Sequence, residues 1–268
     1  MKEVIRELVR SSPGTLSAVC LVREYLQARI LQALQEHGAF QEWAFVGGTA
    51  LRFLFSIQRF SEDLVFSTTA PGRGKDFAAA MAAVEAAFRR EAYEVSVATK
   101  AEKTVASAFL KFPGLPFEVG VSPHRSQVLS VKVEVDTNPP SGAVLATTLT
   151  RRHVTLNLVH YDKASLFAGK LHAVLTRRFT KGRDLYDLVW YLADRTWPPP
   201  NLELLNTALV QTGWEDPSLT PATWRSQVVT RLDAIDWNAA RRDVQPFLMH
   251  PPDADLITRE NVLGLLQG

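Results

Sequence analysis

The sequence has little cysteine, no long apolar run and almost no net charge. Cys20 is the only cysteine among 268 residues. A single thiol excludes an intramolecular disulfide and a cysteine-based zinc cluster, and it favours a reducing compartment, the cytoplasm. The sequence contains no run of about 18 or more apolar residues and no signal-peptide pattern, so we expect neither membrane insertion nor secretion. The formal net charge of +2 indicates no class of partner by itself.

Two kinds of catalytic or metal site are also missing from the sequence pattern. The six histidines show no paired spacing such as H-x-x-x-H, so we predict no zinc site. No G-x-S-x-G motif is present, which argues against a hydrolase with a nucleophilic serine. The candidate chemistry therefore rests on glycines, carboxylates and basic side chains.

The periodicity of apolar residues divides the chain into a mixed half and a helical half. Ser12 and Pro13 introduce a helical pattern that stops at Gly38. After it, the pattern predicts strands at 42–47 and 63–67, helices at 48–56 and 72–92, and alternating segments at 93–98, 104–112 and 129–136. From Asp162 it predicts helices at 162–178, 183–194, 201–211, 222–247 and 257–267. We expect an α+β protein: a mixed sheet with flanking helices over 1–160, then a helical domain over 161–268.

A Gly-Gly-Thr turn joins the first predicted strand to the next helix, and a strand with a carboxylate near its start follows. Gly47, Gly48 and Thr49 would place backbone N–H groups at a helix start, where anions bind. Asp63 could hold a divalent metal beside the same phosphates. Each feature alone also fits a tight turn or a solvated loop. Together they resemble the layout of the nucleotidyltransferase fold.

The run from Val131 to Asp136 alternates strictly between apolar and charged residues. Strand geometry then places three valines on one face and Lys132, Glu134 and Asp136 on the other. A third carboxylate is expected on a strand beside that of Asp63, and either Glu134 or Asp136 could supply it. The alternative is an antiparallel strand with a solvated outer face, and the sequence leaves both open.

A second charged cluster lies in the predicted helical half. Lys170 falls among apolar residues at helical spacing, so its ammonium needs a charged partner or a substrate phosphate. Asp184 and Asp187 lie on one side of the next helix, and a Lys–Asp pair between two helices is the structural alternative. Four more basic residues have two interpretations. They could be cations that the helix dipole stabilises near a C-terminus, or they could bind phosphates or RNA: Arg177, Arg178, Lys181 and Arg183.

These motifs resemble a known family, the AbiEii-type nucleotidyltransferase toxins, which include the MenT-like toxins of mycobacteria. The resemblance spans about residues 45 to 194. Its four motifs are Gly47-Gly48-Thr49-Ala50-Leu51-Arg52, Arg59-Phe60-Ser61-Glu62-Asp63-Leu64, Lys170-Leu171-His172-Ala173 and Arg183-Asp184-Leu185-Tyr186-Asp187-Leu188.

The resemblance implies a DNA polymerase β-like nucleotidyltransferase fold joined to a helical domain. It implies the toxin of a toxin–antitoxin or phage-defence pair. This toxin would transfer NMP from an NTP to RNA, with a tRNA 3′ end as the expected acceptor, and the alternative acceptor is a protein hydroxyl. Gly48 and Thr49 would cradle the triphosphate, and Asp63 would bind Mg²⁺ or Mn²⁺. Lys170 would contact the phosphates, and Asp184 or Asp187 would complete the site. The matched motifs add three candidate nucleotide-binding residues: Gly47, Arg52 and Ser61.

Val65 departs from the family pattern. Relatives carry a second aspartate where this chain has Val65, and strand alternation places Val65 on the same side as Asp63. Three outcomes follow. Glu134 or Asp136 could compensate, the enzyme could work with one well-held metal, or the fold could persist as a catalytically weakened nucleotide- or RNA-binding module.

Overall fold

The structure, a computed structural model, describes residues 2–70 and 76–267. Within these ranges the chain forms two compact units. The first comprises residues 2–56, 60–70, 76–139 and 147–160, and the second comprises residues 57–59, 140–146 and 161–267. In the part of the chain that the structure describes, no helix combines the length and the apolar character needed to cross a membrane.

The first unit contains a seven-stranded sheet with flanking helices, which confirms the predicted fold class. Its helices are α1 (Lys2–Arg10), α2 (Thr15–His37), α3 (Gly47–Phe55), α4 (Phe77–Arg90) and α5 (Leu115–Glu118). The strands of the sheet are β1 (Trp43–Val46), β2 (Asp63–Thr68), β3 (Ser96–Lys100), β4 (Val105–Pro113), β5 (Val128–Asp136), β6 (Leu145–Arg152) and β7 (Val154–Tyr161).

The strand order is β3-β4-β5-β2-β1-β7-β6. The β2–β5 and β1–β7 pairs are parallel, whereas β1–β2, β3–β4 and β4–β5 are antiparallel. Two neighbours of β2 therefore differ in what they contribute: β1 leads into the Gly-Gly-Thr turn, and β5 carries the predicted charged face.

The sheet has one buried face and one open face because polar and apolar residues alternate along β4 and β5. Val131, Val133 and Val135 are buried, on the face against which α2 and α4 pack. Lys132 and Glu134 are half-buried on the opposite face. We call this second side of β2, β3, β4 and β5 the open face; it includes Asp63, Val65, Ser96, Lys100, Ser107, Phe109, Lys111, Ser130, Lys132, Glu134 and Asp136.

The ends of α2 agree only in part with the sequence prediction. Gly38 ends the helix in the left-handed region at φ +80°, and its N–H donates to the carbonyls of Leu34 and Gln35. Pro13, however, is not the first helical residue, because Gly14 intervenes in an extended conformation and the helix begins at Thr15. The predicted stop is confirmed, and the predicted start is two residues early.

Several elements differ from the sequence prediction. The hairpin of β6 and β7 was not predicted; it turns at His153, whose φ of +61° is uncommon for a residue with a side chain. Helix α1 was not predicted either. The predicted helix at 72–92 begins at Phe77, capped by Asp76, and its expected residues 72–75 lie outside the described residues.

The second unit is helical, as predicted. Its helices are α6 (Lys163–Thr176), α7 (Gly182–Ala193), α8 (Leu202–Gln211), α9 (Trp224–Leu232), α10 (Trp237–Val244) and α11 (Arg259–Gln267). The helical pattern over 222–247 is two helices rather than one. Asp236 accepts a hydrogen bond from the Ala239 N–H and starts α10, so the chain turns between α9 and α10.

Helix α7 begins in close contact with α10. The Gly182 N–H donates to Asp243 Oδ2 at 2.9 Å. A Cβ atom at Gly182 would lie 1.8 Å from the carbonyl oxygen of Ala240, a distance that no side chain can occupy. Only glycine fits at position 182, because the backbones of α7 and α10 are in direct contact there.

Replacing Gly182 by alanine tests this contact. We expect Gly182→Ala to lower the free energy of unfolding by roughly 1–3 kcal/mol, because α7 must move away from α10. The measurement is urea denaturation followed by circular dichroism. Gly169→Ala is the matched control, since no atom apart from its chain neighbours and its own helix backbone lies within 4 Å of the added Cβ, and we expect a gain of up to about 1 kcal/mol. Equal effects of the two substitutions would contradict the close packing.

Candidate functional site

The Gly-Gly-Thr turn places the start of α3 beside the first residue of β2. Gly47 has φ +79°, a conformation that favours glycine. Val46 precedes the helix and makes no side-chain capping bond, so the first N–H groups of α3 have no side-chain cap from that residue. The Thr49 hydroxyl donates to the Asp63 carbonyl oxygen at 2.5 Å. This bond fixes the helix start against β2.

Thr49 itself has a structural partner. Its side chain is buried, and its hydroxyl already binds the β2 backbone. The anion-binding groups of the turn are therefore the backbone N–H groups, because exposed amides at a helix start attract phosphate without any hydroxyl. The direct triphosphate contact expected of Thr49 stays a prediction.

The residues just before β2 are held by α2. The carbonyl oxygens of Ser61 and Glu62 both accept hydrogen bonds from Gln27 Nε2, at 3.0 and 2.9 Å. Gln27 is buried, so this amide positions the backbone that leads to Asp63. This hydrogen bond uses the backbone carbonyl of Ser61 and not its hydroxyl. The nucleotide contact expected of Ser61 stays a prediction.

Arg52 is buried and ion-paired in the first unit. Its Nε donates to Glu24 Oε2 at 2.6 Å, and its guanidinium lies 4.9 Å from the centre of the Phe60 ring. Only 3% of the residue is exposed. The ion pair with Glu24 shows that Arg52 stabilises the fold. Its predicted contact with a nucleotide would require the nucleotide to reach this buried guanidinium.

Glu24 is the centre of a charge cluster that the sequence prediction missed. Its Oε1 lies 3.1 Å from Arg152 Nε and 3.1 Å from His153 Nε2, in addition to the Arg52 contact. Burial alone would raise the pKa of Glu24, but the His153 hydrogen bond and the two arginines outweigh it and lower the pKa to about 2. Glu24 is therefore ionised over the whole ordinary pH range.

The register of β2 and β5 arranges the predicted carboxylates. Asp63 is opposite Lys132, Val65 is opposite Glu134, and Ser67 is opposite Asp136. Because paired residues project from the same side of a sheet, Glu134 lies next to the position that lacks the second aspartate. Asp136 lies four residues beyond the level of Asp63, about 13 Å along the strand.

Val65 packs on the Gly-Gly-Thr turn. A Cβ atom added to Gly47 would lie 3.5 Å from Val65 Cβ, which is ordinary van der Waals contact. The valine thus fills the space under the turn with apolar atoms, where a carboxylate of the family pattern would bring charge.

The other charges of this region have neighbours. Lys132 Nζ lies 2.5 Å from Glu134 Oε1, with about a quarter of each side chain exposed. Asp136 Oδ1 accepts a hydrogen bond from the Asn138 N–H at 2.9 Å. Among residues 2–70 and 76–267, no group of three or more histidine, cysteine, aspartate or glutamate side chains is placed to hold a metal ion.

These donors fit one divalent cation better than two. Mg²⁺ is commonly held by one or two carboxylates together with substrate phosphates and water, and Asp63 and Glu134 supply two carboxylates from neighbouring strands. Two-metal catalysis would need a further carboxylate that serves both ions, and Val65 has no oxygen to supply it. The expected metal and its ligands stay predictions.

The second unit contains the other predicted cluster. Arg59 Nε and Nη2 donate to the two carboxylate oxygens of Asp187, each at 2.6 Å. Lys170 Nζ lies 2.6 Å from Asp187 Oδ2 and 3.2 Å from Asp184 Oδ1. Arg177 also pairs with Asp184. The structure therefore contains the Lys–Asp pairing between α6 and α7 that the sequence left as one alternative.

Burial and charge act against each other in this cluster. Asp187 and Arg59 are fully buried. Burial alone would raise the pKa of Asp187, but Arg59 and Lys170 outweigh it and hold that pKa below its usual value. Likewise, burial would lower the pKa of Arg59, but Asp187 outweighs it and raises that pKa. Both groups are therefore charged at every ordinary pH.

The sequence prediction missed Arg59, although it stands in one of the quoted motifs. Its partner lies 128 positions away along the chain, so no spacing rule could reveal the pair.

The loop between α6 and α7 is basic and carries an exposed aromatic side chain. Phe179 is 78% exposed, and the Arg178 guanidinium lies 5.2 Å from its ring centre. Arg231 donates to the carbonyl oxygens of Arg177 and Arg178 and so holds the loop to α9. The sequence prediction noted the basic residues here but overlooked Phe179 between them.

The predicted site residues thus form two groups. Gly47, Gly48, Thr49, Asp63 and Glu134 lie in the first unit, where the turn, β2 and β5 bring them together. The second unit brings together the predicted residues of the other group: Lys170, Asp184 and Asp187.

Comparisons with known proteins agree with this architecture. A family model described as nucleotidyl transferase AbiEii toxin, type IV toxin–antitoxin system, matches residues 29–259. A sequence search of curated proteins finds no match.

Solved structures share the fold. A candidate nucleotidyltransferase from Helicobacter pylori is 15% identical with a TM-score of 0.58, and the match covers 92% of this chain and 93% of that one. JHP933 of the same organism is 15% identical with a TM-score of 0.54, covering 92% and 90%. The nucleotidyltransferase toxin MenT4 from Mycobacterium tuberculosis is 16% identical with a TM-score of 0.53, covering 99% of each chain.

The Glu24 cluster predicts a specific acid sensitivity. Because the pKa of Glu24 falls from its unfolded value near 4.5 to about 2, its charge stabilises the fold above pH 4.5 and this contribution disappears as pH falls through 2. We expect Glu24→Gln to lower the free energy of unfolding at pH 7 by about 3 kcal/mol. The difference from the native protein should shrink toward pH 2, as measured by urea denaturation across that range.

Glu36→Gln is the control for this measurement, since Glu36 is an exposed residue of the same helix. We expect it to change stability by no more than about 0.5 kcal/mol at any pH. A Glu24→Gln effect that is equally large at pH 2 and pH 7 would show that the lost stability does not come from the carboxylate charge.

Proposed function

Because the chain belongs to the AbiEii family of nucleotidyltransferase toxins of type IV toxin–antitoxin systems, we propose that it transfers NMP from an NTP to the 3′ end of a tRNA. The observation that carries this proposal is the start of α3, which the Thr49–Asp63 bond holds beside the first carboxylate of β2. This proximity supports a site in which donor phosphates bind at the turn and a carboxylate lies beside them.

The triphosphate is bound by the backbone of the turn. Gly47 and Gly48 lie at the start of α3, where N–H groups and the helix dipole favour anions. Glycine at both positions allows close approach of a phosphate. In this proposal Thr49 and Gln27 position the turn and the entry to β2, and Thr49 contributes its backbone N–H to the phosphate site.

Asp63 and Glu134 would hold one Mg²⁺ or Mn²⁺ ion. Their positions on adjacent parallel strands support this assignment, and the register favours Glu134 over Asp136 as the partner of Asp63. The ion, when bound, supplies Lewis-acid stabilisation of the leaving pyrophosphate. The two carboxylates would hold the ion beside the phosphates, and the N–H groups of the turn would stabilise the developing negative charge by hydrogen bonding.

Lys170 is proposed as the phosphate contact from the helical unit. Its side chain is 12% exposed, and Asp184 and Asp187 hold its ammonium in place. Asp187 is bound to both Arg59 and Lys170, which suits an orienting role better than a reacting one. The same proposal includes nucleotide contacts from Arg52 and Ser61. Before the nucleotide binds, Arg52 is paired with Glu24 and the Ser61 carbonyl accepts a hydrogen bond from Gln27.

The loop of Arg177, Arg178, Phe179 and Lys181 supports RNA as the acceptor. Single-stranded RNA is bound by aromatic rings on which bases stack and by cations that contact phosphates. Phe179 is exposed and lies beside Arg178, so both elements are present. The family implies an antitoxin partner as well, and we place this pair of proteins in the cytoplasm.

Removing the carboxylate of β2 tests the proposed activity. We expect Asp63→Asn to lower transfer of labelled NMP to total tRNA by at least about a hundredfold, because the site loses its main charged ligand. Glu134→Gln should lower transfer more than Asp136→Asn does. The measurement is incorporation from each of the NTPs, together with growth of cells that express the protein.

Asp216→Asn serves as the control, because Asp216 is an exposed loop residue. It should transfer and inhibit growth like the native protein. The proposal fails if no NTP supports transfer to RNA and Asp63→Asn leaves toxicity unchanged.

A second candidate function rests on Val65. Val65 is opposite Glu134 on the open face, and its side chain has no oxygen with which to replace the second aspartate of the family pattern. The protein would then be a catalytically weakened nucleotide- or RNA-binding module that acts by sequestering its ligand.

The substitution Val65→Asp separates these two functions. If the native site is weakened, the new carboxylate should raise transfer by about tenfold or more, because it restores a metal ligand. Val65→Asn is the matched control of similar size without the charge. Efficient transfer by the native protein and a change below about threefold in Val65→Asp would exclude the second candidate.

A further inference from the structure

One lateral row of the sheet joins Asp63 to an exposed aromatic ring. Asp63 is opposite Lys132 in β5, and Lys132 is opposite Phe109 in β4. All three project from the open face, and Phe109 is 42% exposed. Two interstrand spacings separate Phe109 from Asp63, about 10 Å, which is comparable with the size of one nucleotide.

Lys132 links the two ends of this row. Its ammonium lies 5.7 Å from the centre of the Phe109 ring and 2.5 Å from Glu134 Oε1. The aromatic ring, the cation and the carboxylates are therefore continuous along the sheet. A base stacked on Phe109 would have its sugar and phosphate directed along the side chain of Lys132.

Charge on the open face is segregated. The only charged residues of β3 and β4 are Lys100 and Lys111, both exposed, whereas the carboxylates lie on β2 and at the end of β5. Three serines of the same face offer hydroxyls, which can bind phosphates or ribose 2′-OH groups: Ser96, Ser107 and Ser130. The β3–β4 side is thus suited to a polyanion longer than one nucleotide.

The strand order gives this surface a direction. On one side of β2 lies β1 with the Gly-Gly-Thr turn, and on the other lie β5, β4 and β3. Phosphoryl transfer brings the attacking and leaving oxygens into line on opposite sides of the phosphorus. A donor bound at the turn therefore requires an acceptor that arrives over β5 and β4.

We propose that the open face of β3, β4 and β5 binds the single-stranded 3′ end of the acceptor RNA, with the terminal base stacked on Phe109. This assignment rests on the proposed transfer to RNA and adds where the acceptor lies. Lys100 and Lys111 contact the preceding phosphates, and Lys132 contacts the terminal one. The stacking interaction accepts any base, since every base has an aromatic face.

Binding measurements test the proposal without requiring transfer. The probe is a fluorescent RNA hairpin with a short single-stranded 3′ overhang, and its affinity is read by fluorescence anisotropy. Phe109→Ala should raise the Kd for this hairpin roughly tenfold, whereas Phe109→Trp should retain native affinity. The Kd for the same hairpin with a blunt end should not respond to Phe109→Ala.

The chain offers a matched control. Phe117 is 38% exposed and lies under Arg125 at 4.9 Å, but it belongs to α5 and not to the open face. Phe117→Ala should leave the Kd unchanged. Phe109→Ala and Phe117→Ala should have the same unfolding temperature as the native protein.

Kinetics distinguish the acceptor from the donor nucleotide. We expect Phe109→Ala to raise KM for the RNA about tenfold while KM for the NTP stays constant. A raised KM for the NTP alone would overturn the proposal. So would native affinity of Phe109→Ala for the overhang hairpin, or a native protein that does not bind this hairpin at all. If the native protein transfers no NMP but Phe109→Ala still loses overhang binding, the transfer fails and the RNA surface stands.

Discussion

Asp187 is completely buried, and its carboxylate would cost several kcal/mol without a counter-charge. Arg59 binds both of its oxygens, and Lys170 contacts one of them. Segment 57–59, α6 and α7 are therefore held together by one anion. Losing Arg59 would remove the donor that binds both oxygens of the buried carboxylate, so this part of the helical unit depends most on the Arg59–Asp187 pair. Any contact of Lys170 with phosphate must be compatible with its position beside Asp187.

The charges of the molecule fall into two classes that differ in solvent access. Glu24, Arg52, Arg59 and Asp187 are buried and locked in pairs, so they determine how segments pack. Lys132 and Glu134, in contrast, are half-buried, and pairs of this kind contribute little to stability. This ion pair can separate at low cost when a ligand binds. Lys132 on the open face can therefore bind a phosphate while the core stays folded.

Local patterns in the sequence predicted the elements of the site, and non-local pairing could not be predicted. The alternation from Val131 to Asp136 fixed both faces of β5 in advance, since strand geometry has a period of two. Glu24 and Arg52 are 28 positions apart, and Arg59 and Asp187 are much further apart, so spacing rules do not reach them. His153 turns the unpredicted hairpin in a left-handed conformation without glycine. The register that places Glu134 beside Val65 also requires the folded sheet.

The division of the chain has a consequence for the order in which the protein can form. Segment 57–59 belongs to the second unit, although most of that unit follows position 160. During translation Arg59 leaves the ribosome first, and 128 residues must be added before its partner exists. At about 5–20 residues per second, that interval is on the order of ten seconds. The Arg59–Asp187 pair, which joins segment 57–59 to α7, can therefore form only after Asp187 has been synthesised.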